Sequence, residues 1–266
     1  MIKKLRRCLY ETKVLDVNVD DNELLSIHSE ILMKKPLLRS AFETFYTNMM
    51  NHCDRLLNTS GTEIELGSGA GFFKRLRPGL VSSDIRIGTD IDMALDAQNM
   101  NLPNDSVRCI YAINVFHHLP DPEQFFTELC RVLRPGGGCI LIEPHAGFSS
   151  ALLHRHLHAD EQFLPNAKSW KTSKIEGPLS GANQAMAYIV FKRDIARFNR
   201  LFGEELEVVY QGYMLNSLRY LFSGGLNFKQ LLPSIFEPVL RVLEAIGKPL
   251  ARYWSLHQVI VIRKRQ

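Results

Sequence analysis

At 266 residues with 45% hydrophobic side chains, the chain is long enough for one generous domain or two small ones and can bury an ordinary core. Its net charge of +4 is mild and sits partly at the ends, in "MIKKLRR" and "IRKRQ", which excludes an argument for nucleic acid as a partner. Five cysteines, odd in number and without CxxC spacing, point to free thiols in a reducing, cytoplasmic setting. No apolar run has the length of a signal peptide core or of a membrane span, so a soluble protein is expected.

Residues 23 to 58 carry apolar and aromatic side chains every three to four positions, interrupted at Pro36, and predict two helices. The period changes at 62. "TEIEL" reads as a strand, "GSGAG" as a turn and "GFFKRLR" as the start of a short helix closed by Pro78 and Gly79. "LVSSDI" and "IDMALD" predict two short strands, and "CIYAINV" a buried one. "DPEQFFTELCRVL" predicts a helix with Asp121 as its N-cap and Phe125, Phe126, Leu129, Val132 and Leu133 on one face. "GGCILIEP" predicts the next strand. Further on, "HAGFSSALLHRHLHADEQF" reads as helical and "PNAKSWKTSKIEGPLSGANQ" as loop. "AMAYIVFKRDIARFNRLF" is a strand or helix followed by a helix, "LEVVYQGY" a strand, residues 226 to 253 an amphipathic helical region broken by prolines, and "LHQVIVIRK" a closing strand.

Strands alternating with short helices over about ninety residues argue for βαβ units and a parallel sheet. Right-handed crossovers then bring ligands to the carboxyl ends of the strands. That edge would collect Glu65 to Gly71, Asp84, Asp96, Asn114 to His118, and Glu143 to His145. With no repeat and no low-complexity linker, the expected organisation is a helical region over 1–60, a core over 61–147, and an insert or lid with the final strands over 148–266 completing the same domain.

The turn itself restricts the ligand. Glycine lets a backbone take positive φ and lets a ligand approach without a Cβ in the way. The spacing Gly67, Gly69, Gly71 places the third glycine one position early for the G-x-G-x-x-G of NAD enzymes, and the Gly-Lys-Ser/Thr of a phosphate-binding loop is missing. The first lysine after the turn is Lys74, which suggests a ligand without phosphate.

"EIELGSGAGFF", "LPNDSV", "NVFHHLPDPEQFFTELCRVLRPGG" and "ILIEP", in this order over about residues 60 to 147, resemble the class I S-adenosylmethionine-dependent methyltransferases of the type 11 group. The resemblance implies an α/β fold: a Rossmann-like, seven-stranded, mostly parallel sheet with helices on both faces and the last strand antiparallel. It implies S-adenosyl-L-methionine as cofactor, with Glu65, Gly67, Ser68, Gly69 and Gly71 under its amino-acid end. "DAQNMNLPNDS" places Asp96 and Ala97 at the adenine, and Asn114 matches the fourth motif. For the ribose, Asp84 at the end of "LVSSDI" and Asp90 at the end of an alternative strand "IRIGTDID" both qualify, with Asp92 a further contender. Arg108 stands where the family usually has an acid.

Methyl transfer from a sulfonium is an in-line displacement that needs a base chiefly when the acceptor is a neutral hydroxyl. His117 and His145 are the candidate bases; His118 resembles a histidine that caps a helix, and Glu143 could as easily fix a lid. His154, His156 and His158 in "HRHLH" do not share one helix face, so no metal site is expected. "GPLSGANQAMAYIVFKRD" resembles a segment of family members encoded among cell-surface polysaccharide genes, and its Ser180 to Asn183 would suit either a plain turn or a sugar. The expected function is methylation at oxygen of a small molecule or glycan; the alternative is a noncatalytic cofactor-binding sensor or scaffold. Residues 226 to 253 are expected to cover the sheet between its last two strands, a membrane surface being the less favoured reading.

Overall fold

The structure, a computed structural model, describes residues 9–15, 17–18, 20–88, 90–147, 150, 162–172, 177 and 182–266. Two helices lead in, α1 (Glu23–Lys34) and α2 (Pro36–Leu56). They break at Lys35, which is extended (φ −104°, ψ 95°) as a residue before proline prefers, and Pro36 opens α2, where a missing N–H costs nothing.

Seven strands follow: β1 (Thr62–Leu66), β2 (Val81–Asp84), β3 (Met93–Ala94), β4 (Val107–Ile113), β5 (Leu133–Pro144), β6 (Leu206–Tyr213) and β7 (His257–Lys264). They form one sheet in the order β3-β2-β1-β4-β5-β7-β6. The pairs β1–β2, β2–β3, β1–β4 and β4–β5 are parallel, while β7 runs antiparallel to both β5 and β6. This is the expected Rossmann-like sheet with its last strand reversed. The chain turns back between β1 and β4, so their carboxyl ends flank the crevice where such sheets take ligands.

Alternation along the central strands builds a core on each face. Cys109, Tyr111, Ile140, Ile142, Val259 and Val261 point to one side, where Phe45, Tyr46 and Met49 of α2 cover them. Ile110, Ala112, Cys139, Leu141, Ile260 and Ile262 point to the other, under α3 (Pro122–Val132) through Phe125, Phe126 and Leu129. Asp121 caps α3 as predicted, accepting from the N–H groups of Glu123 (3.1 Å) and Gln124 (3.3 Å).

After the sheet's core, Met186–Tyr188 and a π-helical Ile189–Arg193 run into α4 (Ile195–Phe202), which settles that segment as helical. α5 (Ser217–Ser223) and α6 (Glu237–Ile246) precede β7. Three local expectations need correcting. The stretch between Asp84 and Asp92 contains no strand among its described residues, so "IRIGTDID" is not the second strand. β5 starts at Leu133 rather than 137, directly from the end of α3. The third concerns α6, which does not cover the sheet: it buries only Leu240 and Glu244 and packs against α5.

Candidate active site

The glycine turn leaves β1 with Gly67, Gly69 and Gly71 all at positive φ (62°, 50° and 62°). A Cβ on Gly67 would overlap Val115, and one on Gly71 would lie 2.6 Å from the Asp90 Cβ. At Gly69 it would meet nothing nearer than the Gly67 carbonyl at 3.8 Å, so that side of the turn is open. Ser68 ties the turn to β2: its N–H donates to the Ser83 carbonyl (2.8 Å), and its Oγ accepts from the Ser83 N–H (3.0 Å).

Glu65 sits just before the turn, 2% exposed. Its Oε2 has no hydrogen-bond partner among the described residues. Burial pushes its carboxyl up to about 8; the hydroxyls of Ser68 and Tyr46 oppose this only in part, and the neighbouring Asp84 charge adds to it. Tyr46, stacked on Phe73 at 4.3 Å, comes from α2, and its own phenol is pushed up by burial and by Glu65. A buried carboxyl with one oxygen unpartnered leaves a place for a group from outside.

Asp84 ends β2 and is buried. Its Oδ2 accepts from the Gly69 N–H (3.3 Å), and its Oδ1 from the backbone N–H (3.0 Å) and Nε (3.3 Å) of Arg86. Asp90 is exposed and lies against Gly71. Asp92 is engaged within the fold instead, where it accepts from the N–H and hydroxyl of Ser82 and pairs with Lys74, which hold its carboxyl down near 2. Asp96 is exposed and accepts from the Gln98 N–H (2.8 Å), next to buried Ala97.

Asn114 follows β4 at φ 55°, a conformation that asparagine tolerates, and its buried Oδ1 also lacks a partner among the described residues. Beyond it, Glu143 at the end of β5 is fully buried and gathers a turn. Its Oε1 accepts from the N–H groups of Val115 (2.9 Å) and Phe116 (2.8 Å), and its Oε2 from the His117 N–H (3.3 Å) and Nδ1 (2.6 Å). Glu143 therefore orients His117, with Nδ1–H toward the carboxylate.

His145 is held otherwise. Its Nε2 donates to the Arg252 carbonyl (3.0 Å), its ring lies 4.7 Å from that of Tyr213, and burial lowers its pKa.

One sheet edge thus carries Asp84, Glu65 with the turn, Asn114 with His117, and Glu143 with His145 on neighbouring strands, about 5 Å apart in the hydrogen-bonding direction. A cleft of about 940 Å³ beside β6, lined by Asn199, Glu207, Tyr210 and Arg265 among others, contains none of these residues. Arg108 also belongs elsewhere: it pairs with Glu63 and donates to the Thr59 carbonyl (2.8 Å) at the amino-terminal end of the sheet.

Asn183 uses its side-chain amide inside the chain, its Oδ1 accepting from the N–H groups of Leu164 and Ala185 and its Nδ2 donating to the Leu164 carbonyl (3.2 Å), while its backbone N–H donates to the His117 carbonyl (3.1 Å). Ser180, Gly181, His154, His156 and His158 lie outside the described residues. The contributions of Tyr46, Ser83, Arg86 and Glu143 are not evident from sequence spacing. Each partner lies 15 or more positions away, except that of Arg86.

Residues 80–141 match a family model described as a methyltransferase domain. The match runs from just before β2 into β5. No curated protein matches the sequence. Among solved structures, the chain is similar to geranyl diphosphate C-methyltransferase from Streptomyces coelicolor A3(2), a complex containing S-adenosyl-L-homocysteine, at 10% identity and TM-score 0.47 over 84% of this chain and 78% of that one. It is similar to a geranyl diphosphate methyltransferase in complex with SAM at 10% identity and TM-score 0.45, over 83% and 85% of the two chains. A protein from Pyrococcus horikoshii OT3 matches at 13% identity and TM-score 0.47, over 86% and 91%. A phosphate-free cation such as S-adenosylmethionine fits this edge: Glu65 Oε2 is an unpartnered oxygen that an ammonium could meet, and the bare Gly69 side leaves room for a ligand.

Proposed function

We propose that this methyltransferase methylates a hydroxyl of a small-molecule or glycan acceptor. The observation that carries the choice of oxygen is the buried Glu143–His117 pair, which supplies an oriented base of the kind a neutral hydroxyl requires. When bound, S-adenosylmethionine supplies an electrophilic methyl on a sulfonium.

The chain's own residues do the rest. Glu65, once ionised, holds the ammonium; Gly67, Ser68, Gly69 and Gly71 admit the methionine half along bare backbone. Asp84 is the favoured ribose acceptor, because it ends β2 beside the turn and uses three of its roughly four lone-pair sites within the chain, so a ribose hydroxyl would share it with Arg86. Asp96 and Ala97 border the adenine, and Asn114 offers its unpartnered Oδ1 between cofactor and acceptor. His117 takes the hydroxyl proton on Nε2, and Glu143 steadies the imidazolium that results. His145, with its lowered pKa and its Nε2 committed to Arg252, is the weaker base.

A radiolabelled methyl donor offered with a panel of hydroxyl-bearing glycans and small molecules tests this. Label should enter an ether linkage, with turnover lost in His117→Ala. Cofactor binding without transfer to any acceptor would favour the sensor or scaffold reading instead, and label appearing on nitrogen or carbon would overturn the choice of oxygen.

A further inference from the structure

α6 is amphipathic in the inverse sense. Its polar residues face the protein: Glu244 forms a buried pair with Arg219 of α5 (2.8 Å), while Glu237 accepts from Ser40 Oγ (2.5 Å) and Arg241 (2.6 Å). Its apolar residues other than Leu240 face outward. Val239, Val242, Leu243 and Ile246 are exposed on the helix, the last at 71%. Leu231, Ile235 (81% exposed) and Phe236 before the helix and Leu250 and Tyr253 after it are exposed as well. A patch of this kind marks a surface meant to be covered.

The charges say by what. Between 229 and 254 the cations are Lys229, Arg241, Lys248 and Arg252, all exposed, and the acids are Glu237 and Glu244 alone. Both acids are drawn inward by the contacts just described, and Arg241 is engaged with them through Glu237 and Ser40 (2.9 Å), so the outer face is apolar with Lys248 and Arg252 as the basic fringe at its end. Self-association through a two-fold axis would set that same fringe on both sides of the interface, where like charges oppose each other. An anionic bilayer matches both halves of the pattern, because apolar side chains enter the headgroup boundary while Lys and Arg meet the lipid charge. No described helix is long and apolar enough to cross a membrane, so the contact lies in the interface plane.

We infer that residues 231–253 form a docking face for an anionic phospholipid surface. Near the end of the face the Arg252 carbonyl receives the His145 hydrogen bond, which ties it to the residue after β5.

Flotation of the full-length protein with phosphatidylcholine vesicles, with and without phosphatidylglycerol, tests the inference. The protein should float with the anionic vesicles and stay down with the neutral ones, and release as salt is raised. Ile246→Glu and Val242→Glu, both at exposed positions, should lower partition about tenfold or more, and Lys248→Gln about fivefold. All three should melt with the wild type and keep its S-adenosylmethionine affinity, which separates this surface from the cofactor site. Failure of the wild type to float, or equal flotation of the glutamate variants, overturns the inference. So does a concentration-dependent dimer that Ile246→Glu dissolves without any vesicle binding, since it would give the face to a second copy.

Discussion

Glu65 is a carboxyl whose surroundings favour its proton until a cation arrives. With a folded pKa of about 8 against 4.5 unfolded, it is protonated in the native chain and ionised in the unfolded one between those values. The unfolded state then binds fewer protons, so stability falls as pH rises through that window and levels off above it. At about 1.4 kcal/mol per pKa unit the full effect is a few kcal/mol. Thermal melts of the cofactor-free protein from pH 5 to pH 9 should show the decline, and Glu65→Gln should flatten it while weakening S-adenosylmethionine binding by roughly 2–4 kcal/mol. The two histidines separate kinetically. His117→Ala should lower kcat by about 10²–10⁴ with cofactor affinity held within threefold, whereas His145→Ala should cost roughly tenfold or less. A reversal of that order in single-turnover rates would move the base to His145.

Among the elements, the turn after β1 was legible because three alternating glycines have few uses other than positive φ, and all three adopt it. Their consequences differ. Gly69→Ala would place a methyl into open space, so it should cost stability only about 1–2 kcal/mol for the left-handed backbone, yet lower cofactor affinity at least about tenfold. Gly71→Ala would strike Asp90 and should lose more stability than Gly69→Ala in denaturant titration. The apolar runs "CIYAINV" and "GGCILIEP" and the closing "LHQVIVIRK" made β4, β5 and β7 legible as strands, and Asp121 did the same for the helix it caps. The opposite happened at α6. Its spacing announced two faces, but spacing does not say which face meets the protein, and the Arg219–Glu244 pair that decides it joins residues 25 positions apart. Glu143 was ambiguous for the same reason: its partners lie on the turn after β4, a neighbour only once the sheet is assembled.

Across the whole molecule, the sheet order brings strand ends that are scattered over the sequence onto one edge, with β1 and β4 on either side of the reversal in topology. The second acid was narrowed by this assembly. β2 ends at Asp84, whose carboxylate already receives the Gly69 N–H, while Asp90 lies outside any strand and exposed. Asp84→Asn should therefore weaken cofactor binding more than Asp90→Asn does, in parallel titrations.

The proposed function couples Glu65 ionisation to cofactor capture. Titration calorimetry with S-adenosylmethionine at pH 7, repeated in buffers of different ionisation heat, reads it directly. The wild type should release close to one proton per cofactor bound, and Glu65→Gln close to none. Tight binding with no difference in proton release between the two proteins would contradict it.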